Sequence, residues 1–519
     1  MASELTLTYL DTHQIVLLVA AGCCLFASIT LGTLKKYQQA IALLAVFSFC
    51  AFLSAALFDP FLHLWDERFH AIVAKNMIAD PLRPALYQTQ LLEHEKIDWS
   101  TQDVWLHKQP LFMWQMALAM KIFGCHEWAA RLPDVLLGTL LVLIIYRCGK
   151  LLRSDSMGYI AALLFAGTGF MYELASGKQM LDHNDFVFVA YVSMSIWSWI
   201  EYSRSQRKFW IMLIGVFAGL AILCKWMPGL LVYLIWAMQL LISKPFRLKN
   251  FSGMLFSLCI TTLLVLPWQI YILYQYPDVA AQEFALNTRH FFEVIEGHDG
   301  SSWFHLLMMN EIFGYGAIVL IPCAWIFVII RQKAKDFWLP MLIGCLFVYA
   351  FFTLAKTKMP AFTALTLFPS LLALAYLIDS IVEQLYRRVA SLVVLFILPI
   401  LFVALTWWRI EPLKLAANHG MTSNPGGYWL SMRHNADVWR QLKLPSNAVI
   451  FHATHGTYLE CMFYTGLPAY DFIPDRSQLD ILAEKGLVPV IIDASDIALP
   501  DYFSDYSFLT DHQVIMKDY

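Results

Sequence analysis

The sequence predicts a polytopic α-helical membrane protein, and three observations carry that reading. Of its 519 residues, 59% are hydrophobic and only 14% charged, where a soluble domain carries about 25% charged residues. The apolar residues are gathered into runs long enough to cross a bilayer, for which about 17–25 residues suffice. The Lys and Arg residues recur in every second short loop, the pattern that holds those loops in the cytoplasm. A formal net charge of −3 points to no nucleic-acid partner; the position of the charges says more than their sum.

Twelve apolar runs stand out, at 13–33, 39–58, 131–149, 157–175, 183–201, 209–224, 227–243, 251–272, 305–330, 337–354, 360–378 and 389–408. The loops "LKKYQQ", "YRCGKLLRSDS", "EYSRSQRK", "SKPFRLKN", "RQKAKD" and "EQLYRR" each carry two or three basic residues, and the N-terminal "MASELTLTYLD" carries none. This puts the N-terminus outside an inner (plasma) membrane, together with 59–130, 176–182, 225–226, 273–304, 355–359 and 409–519. No basic stretch precedes the first apolar run, so no cleavable signal peptide is expected. The run 111–124 is short for the hydrocarbon core, and counting it as a span would invert every later loop. It reads as a helix lying in the outer interface, as does 69–77, so the first outer loop is a unit of its own.

From Glu411 onward the composition changes. "NAVIFHAT" and "VPVIIDA" are short β-branched runs, and "DRSQLDILAEKG" between them reads as a helix stopped by Gly. The expected organisation is a transmembrane domain over 1–408, with large outer loops at 59–130 and 273–304, and a small extracytoplasmic α/β domain over 409–519. Eight of the ten cysteines lie in or beside apolar runs and read as small buried hydrophobes. Cys125 and Cys461 lie in polar segments, and a disulfide between them is left open.

Ionisable residues at a membrane face are costly unless paired or hydrated, which makes them functional candidates. "HLWDERFHAIVAKNM" places Asp66 and Glu67 at the start of a helix just past a span. They suit a helix N-terminus electrostatically, and equally a carboxylate that orients or deprotonates an acceptor. "LHKQPLFMW" holds His107 and Lys108, the lysine either snorkelling or holding a phosphate. "GKQMLDHNDF" crowds Lys178, Asp182, His183 and Asp185 into one outer turn. "NTRHFFEVIEGHDG" carries Arg289, His290, Glu293, Glu296, His298 and Asp299, where His298 alone has no metal-site spacing. "FTLAKTKMPAF" keeps Lys356 and Lys358 outside, against the positive-inside trend, and a lipid phosphate is the natural ligand at that depth. Carboxylates and cations thus converge on the outer boundary, as transfer of a group from a lipid phosphate requires. No Gly-rich phosphate loop occurs, so no nucleotide cofactor is expected.

Four segments in order complete the pattern: the acidic pair after an early span, "HKQPLFMWQMALAMKIFGCHEWAARLPDVLLG", "LCKWMPGLL" and "FFTLAKTKMPAF". Together they resemble the GT-C-type membrane glycosyltransferases that use polyprenyl-phosphate sugars, a group that includes the lipid A aminoarabinose transferases and the protein O-mannosyltransferases. The resemblance runs from about Asp59 to Asp379. It implies a GT-C-like fold, a polyprenyl-phosphate-linked sugar donor, a lipid, glycan or protein acceptor, and inversion at the sugar. By position it implies Asp66 as the first-loop catalytic acid with Glu67 beside it, and Asp182 as the second outer acid with Asp185 as its rival. Lys108, Arg289, Lys356 and Lys358 take the donor phosphate. Gln109 stands where the family favours Pro, and Phe69 and His70 replace its usual Arg-Tyr. His107 stands where aminoarabinose transferases tend to carry a metal-binding Glu, so His107 and His298 are the candidate pair for a divalent metal ion. A lipid or cell-envelope acceptor is the leading expectation and protein hydroxyls the next. A secondary transporter would show an inverted repeat with charges at mid-membrane, and no such repeat is visible; a ligand-sensing outer domain is the remaining class.

Overall fold

A computed structural model of the chain describes residues 10–94, 98–178, 183–243, 251–331, 337–389, 391–421, 425–454, 456–492 and 499–511. Helices α1 (Thr12–Thr33) and α2 (Tyr37–Phe58) form an antiparallel pair of 22 residues each, about 33 Å long at 1.5 Å per residue and so matched to a bilayer core. The segment expected as the first outer loop holds α3 (Asp66–Met77) and α4 (Leu111–Phe123). α5 (Glu127–Leu152) and α6 (Asp155–Ala166) meet where a Cβ on Gly149 would lie 2.6 Å from Gly158 Cα, the small-residue contact that lets membrane helices approach closely. α7 (Gly169–Ala175) continues α6 after a 51° bend.

α8 (His183–Ser205) is buried along most of its length at the centre of the bundle. α9 (Lys208–Lys225) and α10 (Leu231–Ile242) pack on it, as α5 does, α11 (Phe251–Gln275) packs on α9, and α12 (Pro277–Phe292) opens the segment expected as the second outer loop. The short α13 (Phe304–Leu307) and α14 (Met309–Phe313) meet α15 (Ala317–Arg331) at 89°. α16 (Trp338–Leu354), α17 (Leu367–Arg388) and α18 (Ser391–Ile410) close the bundle.

Among the described residues, seven helices are long and apolar enough to cross a membrane, and nine if each bent pair is one span. The other three expected spans are also helical. α8 carries His183, Asp185, Glu201 and Arg204 at its ends, and Met227–Ile242 and Trp338–Leu354 are short.

The chain after α18 continues through α19 (Pro412–Asn418) and α20 (Gly427–Gln441) into an α/β unit. Its sheet is parallel, in the order β1 (Ala448–Phe451), β2 (Val488–Ile492), β3 (Leu509–Asp511). α21 (Thr457–Thr465) and α22 (Arg476–Glu484) lie between β1 and β2, and Asp475 with Gln478 closes a capping box on α22. This unit does not stand apart from the rest. Tyr470 stacks on Tyr87 of the first outer loop at 5.3 Å. The buried Arg68 and Glu460 pair at 2.7 Å, and Lys75 Nζ donates to the carbonyls of Met462 (3.1 Å) and Phe463 (2.7 Å). The unit therefore packs directly on α3. All ten cysteines are free thiols, Cys125 and Cys461 included.

Candidate active site

The site begins at a strained turn. Trp65 takes φ 62°, a left-handed backbone that non-glycine residues hold only where the surroundings enforce it. The helix starts at the next residue, so Asp66 and Glu67 occupy its first turn, where a carboxylate meets the positive end of the dipole. Consecutive side chains on a helix diverge by about 100°, and these two acids have different surroundings.

Glu67 points inward. Arg131 grips it through Nε (2.7 Å) and Nη2 (2.9 Å), His183 Nε2 lies 2.9 Å away, and the backbone N–H of His63 donates at 2.7 Å. Arg131 spends its remaining donors on the carbonyls of Ala56, Asp59 and Phe61, and His183 Nδ1 sits 2.7 Å from Asp134. Burial would raise the Glu67 carboxyl, but Arg131 and His183 outweigh it and hold it down to about 2. This is a tie joining α2, α3, α5 and α8, with no room for a substrate: a Cβ on Gly177 would already lie 2.2 Å from Glu67 Oε1.

Asp66 instead lines a cavity of about 470 Å³. Lys108 Nζ stands 3.6 Å from its Oδ1. The turn before α4 delivers that lysine, fixed by Trp105, which stacks on Phe69 at 5.9 Å, and by Gln109, which accepts from Gln269 at 2.8 Å. Across the cavity, Lys225 at the end of α9 pairs with Asp185 in the first turn of α8. The residue after Lys225, Trp226, has φ 62° as well, so a strained turn adjoins the cation as one adjoins the acid. His107 stacks on Trp99 at 4.4 Å and pairs with Glu283 at 3.2 Å. His290 meets the Thr357 hydroxyl at 3.1 Å; burial, then the nearby His107 and Lys108, push its imidazole down to about 4. Phe188, Phe284, Phe291, Phe351, Phe352 and Phe362 make up much of the remaining wall. An acid and cations in an aromatic chamber suit a ligand with a charged head and an apolar body.

The structure therefore brings Asp66, Lys108, His107, His298 and Asp185 to one cavity. The other expected phosphate ligands lie elsewhere. Lys358 donates its three ammonium hydrogens to the carbonyls of Phe352 (3.0 Å), Thr353 (2.6 Å) and Ala355 (2.5 Å), capping α16. Arg289 is exposed and paired with Glu293 at 2.7 Å, one residue from His290 but on another side of α12. Lys356 is exposed and outside the wall. Asp182 lies outside the described residues. Among the described residues, no three His, Cys, Asp or Glu group as metal ligands, and His298 lies 4.0 Å from Glu296 while His107 is engaged by Glu283. Among the described residues, the side chains around this cavity do not fit a three-ligand metal site. Lys225 has no role in the sequence reading, although that reading expects 225–226, within "LCKWMPGLL", to lie outside, where a lysine departs from the positive-inside trend as Lys356 does.

The fold is shared with ArnT from Cupriavidus metallidurans in the apo state, at a TM-score of 0.61 with 16% identity, over 86% of this chain and 89% of that one. The chain has a GT-C-type fold. The ArnT structure bound to undecaprenyl phosphate matches equally well, at 0.61 and 14% identity. The fold is also shared with the oligosaccharyltransferase AglB from Archaeoglobus fulgidus, at 0.52 and 11% identity, over 87% of this chain and 68% of that one. Residues 107–271 match the family model of dolichyl-phosphate-mannose-protein mannosyltransferases. In sequence, the chain is 25% identical to an undecaprenyl phosphate-α-4-amino-4-deoxy-L-arabinose arabinosyl transferase of Pseudomonas savastanoi pv. phaseolicola, over 68% of this chain and 62% of that protein. It is 23% identical to an uncharacterized protein of Aquifex aeolicus, over 65% and 63%. The matches thus span somewhat under two thirds of these relatives' length.

Proposed function

We propose that this protein transfers a sugar from a polyprenyl-phosphate donor to a lipid or other cell-envelope acceptor at the outer face of the inner membrane. The observation that carries the reading is the Asp66–Lys108 pair, 3.6 Å apart in the wall of a cavity that also holds Lys225 and six phenylalanines. The acceptor hydroxyl attacks the anomeric carbon. Asp66 accepts its proton, a new C–O bond forms, and the bond from that carbon to the phosphate oxygen breaks. The electron pair leaves with the polyprenyl phosphate, whose charge Lys108 and Lys225 meet. Glu67 takes no part in the chemistry and holds the helix that presents Asp66. The likeness to lipid-phosphate glycosyltransferases supports this reading. The mannosyltransferase family match over 107–271, with a putative mannosyltransferase of Bacillus subtilis 27% identical over 168 residues, favours a second one in which the acceptor is a protein hydroxyl.

The same proposal keeps twelve spans, with both termini and the α/β unit outside. Purified protein with a radiolabelled lipid donor tests it. Label should leave the polyprenyl-phosphate fraction with wild type and stay there with Asp66→Asn. Label appearing in lipid selects the first acceptor class, and label in protein the second. Transfer should persist after chelation with EDTA, because His107 and His298 each sit beside a separate glutamate. Loss in EDTA that added metal restores would reinstate a divalent ion on that pair.

A further inference from the structure

Glu283 is a buried carboxylate that the chemistry above does not use. It lies on α12, one turn past Ala280 and next to Phe284, which belong to an apolar cluster with Leu106, Trp268 and Ile272. Its side chain is 7% exposed, and among the described residues its carboxylate has one partner, His107 Nδ1 at 3.2 Å. Burying a carboxylate is costly unless it is paired, so its presence is explained by what it does to that imidazole. The ring is hemmed in as well: Trp99 stacks on it at 4.4 Å, and Trp105 lies 5.6 Å away.

A carboxylate on Nδ1 keeps the hydrogen of a neutral imidazole there and leaves Nε2 as a lone-pair acceptor. Nε2 bonds to none of the described residues and keeps accessible surface, and His107 lines the Asp66 cavity. The cavity therefore presents an acceptor whose direction is fixed before any ligand arrives, and a ligand O–H fits it. The neighbouring residue says which ligand. Lys108, 3.6 Å from Asp66, is the cation assigned above to the donor phosphate. The sugar is bonded to that phosphate, so its hydroxyls are the ones that come beside His107.

We propose that His107 determines specificity for the transferred sugar: its Nε2 accepts a hydrogen bond from a sugar hydroxyl, and Glu283 is a positioning residue that fixes the tautomer and the plane of the ring. The inference rests on the polyprenyl-phosphate reading of this cavity. Two measurements on the full-length protein in detergent test it: steady-state transfer from the radiolabelled lipid donor, and its inhibition by farnesyl phosphate, which carries the phosphate and no sugar. His107→Ala should raise the KM for the donor by about 5–10-fold, the worth of one hydrogen bond between uncharged groups, with kcat little changed. The inhibition constant of farnesyl phosphate should stay within about twofold of wild type, a split that general loosening of the fold would not produce. His107→Gln, whose amide can donate to Glu283 and still accept from the sugar, should recover part of the loss. Glu283→Ala should raise the donor KM in the same sense, and the double variant should be no worse than His107→Ala, because Glu283 acts only through the ring. An unchanged donor KM in His107→Ala would overturn the proposal; if that variant does not fold, an unchanged KM in Glu283→Ala does so. Equal weakening of donor and farnesyl phosphate would place His107 on the phosphate, and a fall in kcat alone would place it in the chemistry; either overturns the sugar contact. No transfer by wild type, with no binding of farnesyl phosphate, would instead remove the polyprenyl-phosphate reading and this inference with it.

Discussion

Two neighbouring carboxylates have opposite fates here, and single substitutions separate them. Asp66→Asn should cut transfer by about 10²–10⁴-fold, the usual worth of a general base, with the melting temperature unchanged. Glu67→Gln should act on stability instead, because breaking one half of a buried ion pair costs about 3–5 kcal/mol; thermal melts of the two variants check the contrast. The sign with pH follows from the low Glu67 value. Its contribution is present in full above the ordinary 4.5 and is lost as the pH falls through about 2. Gly177→Ala should resemble Glu67→Gln in yield and melting, since φ is +72° there and the new methyl would collide with Glu67. The acidic pair at the start of a helix was legible in the sequence. Which acid faces the cavity was not, because Arg131, 64 positions away, decides it.

At the scale of elements, the segment 355–359 ties the late loops together. Its backbone N–H groups at 356, 357 and 358 donate to the carbonyls of Phe291, His290 and His298 at 3.1, 3.1 and 2.8 Å. Lys358→Met should therefore lower stability by about 1–3 kcal/mol, the cost of stranding buried carbonyls, whereas Lys108→Met should raise the KM for donor and leave melting alone. The basic pair drew attention to this segment in the sequence; sequence could not show that Lys358 turns back onto its own helix end. A second tie joins the chain after α18 to the first outer loop. Buried Asp59 takes His419 at 2.5 Å, His63 at 2.9 Å and the Trp429 indole at 2.8 Å. Burial would lower the His419 imidazole, but Asp59 overcomes it and raises it to about 9. Its stabilisation is complete below the ordinary 6.5 and is lost as the pH rises through about 9. The melting temperature should fall between about pH 7 and 10, and His419→Gln should flatten that slope.

For the whole molecule, the long apolar runs made the helical membrane architecture readable, because a bilayer constrains the length of what crosses it; the sidedness expected from the basic loops is what topology reporters test. The bends of 51° and 89° left no trace in hydropathy, which records composition and not direction. Of the α/β unit, β1, β2 and α22 were legible from local pattern, whereas β3, α20 and α21 were not read. The unit's docking on α3 was not legible, since Arg68–Glu460 and Tyr87–Tyr470 join residues hundreds of positions apart. Topology reporters that work only outside the membrane should be active when fused after residue 410 and silent in the 206–207 loop. The central claim is that Asp66 performs the chemistry that Glu67 only supports. Single-turnover transfer from a radiolabelled polyprenyl-phosphate sugar, run with wild type, Asp66→Asn and folded Glu67→Gln, tests it most directly. The account predicts label transfer by wild type, almost none by Asp66→Asn, and a substantial rate in whatever Glu67→Gln remains folded. Full transfer by Asp66→Asn would contradict it.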